Sequence, residues 1–120
     1  MNDFEVVTKT KVTRERISDL LCNAFEGGSN YWVGQLKILE EGLTDSKYAH
    51  DQIAYGATVK LYDDEAETTY IIGAAQVQRG LARLAEDYTH HWIDFINEND
   101  DATTGDVFLQ CIVFGEVIYG

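Results

Sequence analysis

The sequence predicts an α+β fold in which a small antiparallel sheet packs against several helices. Two β-rich runs, residues 58–62 and 68–72, flank the short acidic connection 63–67, and this pattern is typical of a β-hairpin near 58–72. Helical spacing of apolar residues recurs before and after the hairpin, so strands and helices are partly segregated along the chain. The 120 residues contain no linker-like stretch, which predicts a single domain over residues 1–120.

The chain is predicted to begin with a strand followed by a helix. Residues 4–10 alternate moderately and are rich in Val and Thr, which predicts the strand. Thr13 is a suitable N-cap for a helix with an apolar stripe. This helix is expected to stop at Gly27–Gly28, because glycine readily adopts the left-handed conformation that ends many helices.

The next two segments are expected to lead into the hairpin. Residues 29–41 favour a strand because a Gly-Gly break precedes them, although the apolar residues at positions 32, 36 and 39 would also fit a helix. Residues 46–55 predict a short helix.

Three helices are predicted after the hairpin. Residues 77–88 carry apolar side chains at helical spacing, and Thr89 is a suitable cap for a second helical stretch. The last segment, 104–119, is apolar nearly all round and should be buried. Its β-branched residues leave a central strand open, but Thr104 followed by Asp106 favours the start of a helix.

The charge of the chain excludes several classes of function. Nine basic and 21 acidic residues give a formal net charge of −12. So few cations cannot form a large surface for nucleic-acid phosphate or for an anionic membrane. The apolar run 107–114 is far shorter than a membrane span of about 20 residues. The first residues do not resemble a signal peptide, so we expect a cytoplasmic protein.

The charge is also unevenly distributed. Four of the nine cations, Lys9, Lys11, Arg14 and Arg16, lie in the first sixteen residues, and no Lys or Arg follows residue 83. The C-terminal third should therefore present an acidic surface that binds a partner protein with a basic surface, or else a merely solvated face. The residues assigned to this surface are Asp94, Glu98, Asp100, Asp101 and Asp106.

A second candidate site is the glycine–aromatic block Gly27–Trp32. Tyr31 or Trp32 could stack on a planar ligand such as a small nucleotide, while Ser29 and Asn30 hydrogen-bond its edge. The alternative is that the glycines only end a helix and Trp32 only fills the core.

The remaining polar motifs predict no metal, no cofactor and no enzyme. His90 and Asp94 share a helix face, but adjacent histidines diverge by about 100° and cannot both bind one ion. The loop 97–101 resembles the start of an EF-hand, yet the positions for its glycine and its terminal glutamate hold other residues. Cys22 and Cys111 lie among apolar neighbours and are expected to be reduced core thiols, with a disulfide left open.

Three separated blocks carry a resemblance to known proteins: residues 17–32, which include the glycine–aromatic block, the hairpin strand 59–63, and the ending 114–120. Together they resemble a family of small proteins encoded by bacteriophages and prophages. The resemblance implies no activity or site residues, but it implies an accessory protein that acts in a bacterial cytoplasm. By analogy, such a protein is expected to act in counter-defence.

Three hypotheses follow from the charge, the glycine–aromatic block and the resemblance. In the first, the acidic surface imitates nucleic acid and neutralises a host nuclease or CRISPR-type complex, as an anti-CRISPR-like inhibitor would. In the second, the Gly27–Trp32 region sequesters a nucleotide signal. In the third, a structural or regulatory phage protein acts through homo-oligomerisation.

Overall fold

The computed structural model describes residues 3–120 and confirms the α+β fold, with five α-helices and a three-stranded antiparallel sheet. A π-helical turn, Ala24–Gly28, extends the first helix. The elements in chain order are α1 (Arg14–Asn23), β1 (Val33–Glu40), α2 (Ala49–Ala54), β2 (Thr58–Asp63), β3 (Thr68–Ile72), α3 (Ala74–Asp87), α4 (Thr89–Ile96) and α5 (Ala102–Phe114).

The predicted hairpin is confirmed, and β2 is the central strand of the sheet. The backbone reverses after Asp63, which pairs with Thr68 across the turn. Asp63 stabilises this turn because its Oδ1 accepts hydrogen bonds from the backbone N–H groups of Glu65 and Ala66. The strand predicted within 29–41 is β1, so the helical alternative for that segment is wrong.

Helix α5 forms the centre of the core. Its side chains from Thr104 to Val113 are all buried, as the all-round apolar pattern requires. This finding excludes the strand that the sequence left open for 104–119. The buried apolar residues of the sheet and of the other helices join α5 in one cluster.

The ends of α5 differ from the prediction. Asp101, not Thr104, is the N-cap, and its side chain accepts a hydrogen bond from the Thr104 backbone while Thr104 bonds back to Asp101. The sequence pointed to Thr104 because its hydroxyl can also cap a helix. In the structure Thr104 is instead the third residue of the helix and completes the capping box of Asp101. The helix ends at Phe114, since Gly115 takes the left-handed conformation at φ 79°.

The predicted first strand is wrong. Residues 4–10 form no helix or strand and pair with no strand in the described chain, and residues 3–11 are all exposed. Alternation and β-branched residues favour an extended backbone, but a strand also needs a partner for its hydrogen bonds. The short helix α2 also begins at Ala49, three residues later than expected.

Two glycines, Gly28 in the π-helical turn and Gly105 in α5, allow close contact between backbones. Neither Gly27, at φ 179°, nor Gly28 lies in the left-handed region, so the expected left-handed end of α1 is wrong. Gly28 is required for another reason: a Cβ atom there would overlap the backbone carbonyl of Ala102. At Gly105 a Cβ atom would lie 2.7 Å from the Ala24 nitrogen, so α5 can touch α1 only through glycine.

No helix within residues 3–120 has the length and apolar character needed to cross a membrane.

Replacing Gly28 with Ala should destabilise the fold by about 1–3 kcal/mol, because the added methyl group forces the π-helical turn away from Ala102. The adjacent Gly27→Ala variant is a matched control, since nothing lies within 4 Å of a Cβ atom at that position. Urea denaturation of both variants measures the difference. Equal stability of the two would contradict the close contact at Ala102.

Candidate functional site

The glycine–aromatic block does not form the open planar-ligand site expected from the sequence. Trp32 and Ser29 are fully buried, while Tyr31 is half-exposed and Asn30 is exposed. The Trp32 ring lies against the rings of Phe114 and Tyr119, at centroid distances of 5.1 and 5.7 Å. The indole therefore fills the core and cannot stack on a ligand from solvent.

Asp106 is the residue that holds this block in place. Its Oδ1 accepts hydrogen bonds from Ser29 Oγ and Trp32 Nε1, both at 2.8 Å. Its Oδ2 accepts from Tyr31 OH at 2.7 Å and from Gln110 Nε2 at 3.1 Å. Four donors satisfy the buried carboxylate without a cation. We refer to Ser29, Tyr31, Trp32, Asp106 and Gln110 as the Asp106 centre.

The assignment of Asp106 to the acidic surface is therefore wrong. The residue is only 8% exposed, because the inward face of α5 carries it beneath the glycine–aromatic block. Burial and the neighbouring Asp106 carboxylate raise the pKa of Tyr31 well above its usual value, so its hydroxyl remains a donor at neutral pH.

Gln110 extends the Asp106 centre to the C-terminal segment. Its Oε1 accepts hydrogen bonds from the backbone N–H groups of Ile118 and Tyr119, both at 2.9 Å. The hydroxyl oxygen of Tyr88 accepts a further bond from the Val117 backbone at 2.7 Å. These bonds hold the segment after α5 against the core, although it forms no regular secondary structure.

Tyr119 connects this segment to the hairpin. Its hydroxyl donates to Oδ2 of Asp63 at 2.7 Å, and Asp63 is fully buried. This hydrogen bond, with burial, raises the pKa of Tyr119 to about 12. Three distant parts of the sequence thus meet at one place: residues 29–32, Asp63 and Tyr119.

The Asp106 centre has the properties of a structural support. Among the described residues, every buried side-chain nitrogen or oxygen has a hydrogen-bond partner. A fully satisfied network of this kind makes one arrangement of the core much more stable than others. It leaves no polar atom directed at a ligand.

The other four predicted acidic residues differ in exposure, and the assignment of Asp100 to the acidic surface is also wrong. Asp100 bonds to Arg16 at 2.9 Å and to Asn23 at 3.2 Å, and its side chain is only 7% exposed. Asp101 is exposed and caps α5, and the Thr104 backbone N–H lowers the pKa of its carboxyl. Glu98 is exposed, and Asp94 is partly buried with its Oδ2 3.5 Å from His90 Nε2.

Acidic residues of α1 adjoin this group and were missed from the sequence. Arg16 connects them, since one guanidinium contacts Asp100 and lies 3.9 Å from Asp19. Asp19 and Glu26 are exposed. Glu26 belongs to the π-helical turn that follows α1, and Gly28 of this turn packs against the Ala102 carbonyl at the start of α5. In the sequence, Asp19 and Glu26 are seven residues apart and lie opposite the apolar stripe, and this pattern could have indicated an exposed acidic face. We refer to Asp19, Glu26, Glu98 and Asp101 as the acidic ridge.

Neighbouring histidines contact different side chains. His90 and His91 have different neighbours, Asp94 and Thr104. Residues 3–120 contain no cluster of three or more His, Cys, Asp or Glu that could hold a metal ion. The EF-hand-like loop has its two aspartates engaged elsewhere, by Arg16 and by the N-terminus of α5.

His50 lies beside Ser18 and Asp51, a combination that the sequence did not suggest. The distance from Ser18 Oγ to His50 Nδ1 is 2.9 Å, and Ser18 donates its proton to Oδ1 of Asp51. In this arrangement the single Ser18 hydroxyl proton is directed to Asp51 and not to His50. Bonds from Ser18 and Ser46 lower the pKa of Asp51, which indicates a structural role for this group.

Both cysteines are free thiols, as the composition of their surroundings predicted. Burial raises the pKa of Cys111 to about 12 and makes it a poor nucleophile.

Replacing Asp106 with Asn should destabilise the protein by about 3 kcal/mol, because the amide nitrogen would face two hydrogen-bond donors at either oxygen position. Ser29 and Trp32 donate at Oδ1, and Tyr31 and Gln110 donate at Oδ2. Glu98→Gln is the control: it makes the same change of charge at an exposed position and should shift stability by less than about 0.5 kcal/mol. Chemical denaturation measures both. A D106N variant as stable as E98Q would show that the carboxylate does not support the core.

Tyr119 should make stability depend on alkaline pH. Its pKa of about 12 lies above the ordinary value of 10.0, so the stability from its neutral hydroxyl is fully present below pH 10 and is lost as pH rises through about 12. The stability difference between the wild type and Tyr119→Phe should therefore shrink across that range. Urea midpoints at several pH values measure it, and a constant difference would contradict the Tyr119–Asp63 bond.

No family model matches the chain, and no curated protein or solved structure gives a match. The function must therefore be inferred from the side chains described above.

Proposed function

We propose that this chain is a non-enzymatic binding protein whose acidic ridge docks on the basic surface of a bacterial host protein. The observation that carries the proposal is a set of exposed carboxylates from two separate segments, α1 with its π-helical turn and the loop before α5. A net charge of −12 adds a long-range attraction for a basic partner.

Arg16 neutralises the acidic ridge only in part, since among the four ridge residues it pairs with Asp19 alone, at 3.9 Å. Its guanidinium donates hydrogen bonds to the Phe95 carbonyl at 2.8 Å and to Asp100 at 2.9 Å, and it lies 4.6 Å from the centre of the Phe95 ring. These contacts fix the cation inward, between α1 and α4. The exposed carboxylates of the ridge remain available to arginine and lysine side chains of a partner.

The partner class follows from the chemistry of the ridge. Carboxylates spaced along a surface present acceptors to the same basic side chains that bind nucleic-acid phosphate. A host nuclease or a CRISPR-type complex has such a groove, and blocking it would be a counter-defence activity. The phage-family resemblance supports this context.

A nucleotide site at Gly27–Trp32 is the weaker alternative. Its stacking group, Trp32, and one of its hydrogen-bonding groups, Ser29, are buried and bonded to Asp106. Ligand entry would require these bonds to break.

The proposal predicts that neutralising the ridge abolishes capture of a basic partner. The test variant combines Asp19→Asn, Glu26→Gln and Glu98→Gln, and it leaves Asp101 intact because that residue caps α5. Immobilised wild-type protein should retain a basic host protein from a bacterial lysate, identified by mass spectrometry. Retention should fall steeply as salt rises from 0.05 to about 0.5 M, because salt screens exposed charges.

A matched control carries Glu41→Gln, Glu65→Gln and Glu67→Gln, which remove the same charge from exposed positions elsewhere. Capture retained by this control and lost by the ridge variant supports the proposal. Equal capture by both variants, or binding that does not respond to salt, would count against it.

A further inference from the structure

The segment before α1 exposes apolar side chains without any cover. Phe4, Val6 and Val7 are 96%, 86% and 90% exposed, and residues Asp3 to Val12 belong to no helix or strand. We refer to Asp3–Val12 as the arm. An apolar group of this size on an exposed segment is a common sign of an interaction surface.

The sequence of the arm favours an extended backbone. Five of its ten residues are β-branched, and it contains no Gly, Pro or Asn that would favour a tight turn. A reversal that returned Phe4 to its own core would have to occur within a few such residues. Its partner should therefore be another molecule.

The charges of the arm are complementary to those of a second arm. Two copies can run antiparallel around a twofold axis at Val7. Each residue then faces the partner residue whose number, added to its own, gives 14. Opposite charges then lie across from each other on one face: Asp3 with Lys11, and Glu5 with Lys9. A shift of two residues in either direction loses both pairs and leaves one opposite-charge pair in their place, Glu5 with Lys11 or Asp3 with Lys9.

The same register brings apolar side chains to a groove. A groove of about 670 Å³ lies between the arm, α1, α2 and α3, and Thr8 and Thr10 form part of its wall. In the twofold ribbon, Phe4 of the second copy faces Thr10 and Val6 faces Thr8. The partner's Phe4 and Val6 therefore lie next to an apolar floor that includes Ile17, Ile53, Val77, Leu81 and Trp92.

We propose that the protein forms a twofold dimer in which the arms pair as an antiparallel ribbon centred on Val7, and each Phe4 enters the groove of the other copy.

The surface available is sufficient for a stable dimer. Two Phe4 side chains would bury roughly 300–500 Å², and the groove surface that they cover would be similar in size. The valines and the ribbon itself bring the total close to the roughly 1,200 Å² of a small specific interface. A C2 arrangement uses the same arm and the same groove twice, so it closes without leaving either exposed.

The test uses the full chain and two charge variants of the arm. Asp3→Lys with Glu5→Lys makes every charge of the arm positive, and Lys9→Glu with Lys11→Glu makes every charge negative. The wild type should be a dimer by light scattering. Each variant alone should have a dimer Kd raised by about tenfold or more, because four attractive pairs become repulsive.

Mixing the two variants is the decisive step, because it restores all four opposite-charge pairs. Native mass spectrometry with one variant labelled with ¹⁵N should show a heterodimer. The control, Glu40→Lys with Glu41→Lys, changes exposed charges outside the arm and should remain a dimer. Circular dichroism checks that every variant is folded.

Three results would overturn the proposal: a monomeric wild type at about 0.5 mM, dimers that both arm variants retain, or a mixture that forms no heterodimer. A fourth variant, Phe4→Ser, keeps all the charges. It should raise the dimer Kd, while oppositely charged arm variants should still prefer to form heterodimers. An unchanged Kd would show that Phe4 enters no groove. These results are independent of partner capture by the acidic ridge, since Asp19, Glu26 and Glu98 lie outside the arm.

Discussion

The structure depends on one buried carboxylate. Asp106 receives hydrogen bonds from Ser29, Tyr31, Trp32 and Gln110, so it joins α5 to the segment that leads from the π-helical turn into β1. Gln110 and Tyr119 continue the same network to the C-terminal segment and the hairpin. A buried charge is costly unless donors surround it, and here four neutral donors do so. The sheet and the helices are therefore held in one relative position.

This constraint divides the polar residues into two groups. Ser29, Trp32 and Asp106 are residues that sequence reasoning associates with binding, yet they support the core. The carboxylates of α1, of its π-helical turn and of the loop before α5 remain at the surface. In this way a strongly acidic chain can contain a buried aspartate and still present its negative charge to a partner. The arm is a third, separate surface, since its apolar residues contact neither group.

Much of the fold could be predicted from local patterns. The hairpin, α1 with its Thr13 cap and the buried α5 follow from periodicity and capping, which depend on neighbouring residues. Three features could not be predicted because they depend on distant ones. The burial of Asp106 requires donors about 75 residues away, and the role of Gly28 requires the Ala102 carbonyl. The strand expected at 4–10 has the correct local preference but lacks a neighbouring strand in its own chain.

The central claim is that the Trp32 indole is held by Asp106 inside a closed core, and hydrogen exchange of the two indole N–H groups tests it directly. In a ¹H–¹⁵N spectrum, the Trp32 indole proton should exchange with solvent only through global unfolding, at a free energy that matches chemical denaturation. The half-buried Trp92 serves as the internal comparison. Rapid exchange of the Trp32 proton under native conditions would contradict the account, because the block would then be open to solvent and free to bind a ligand.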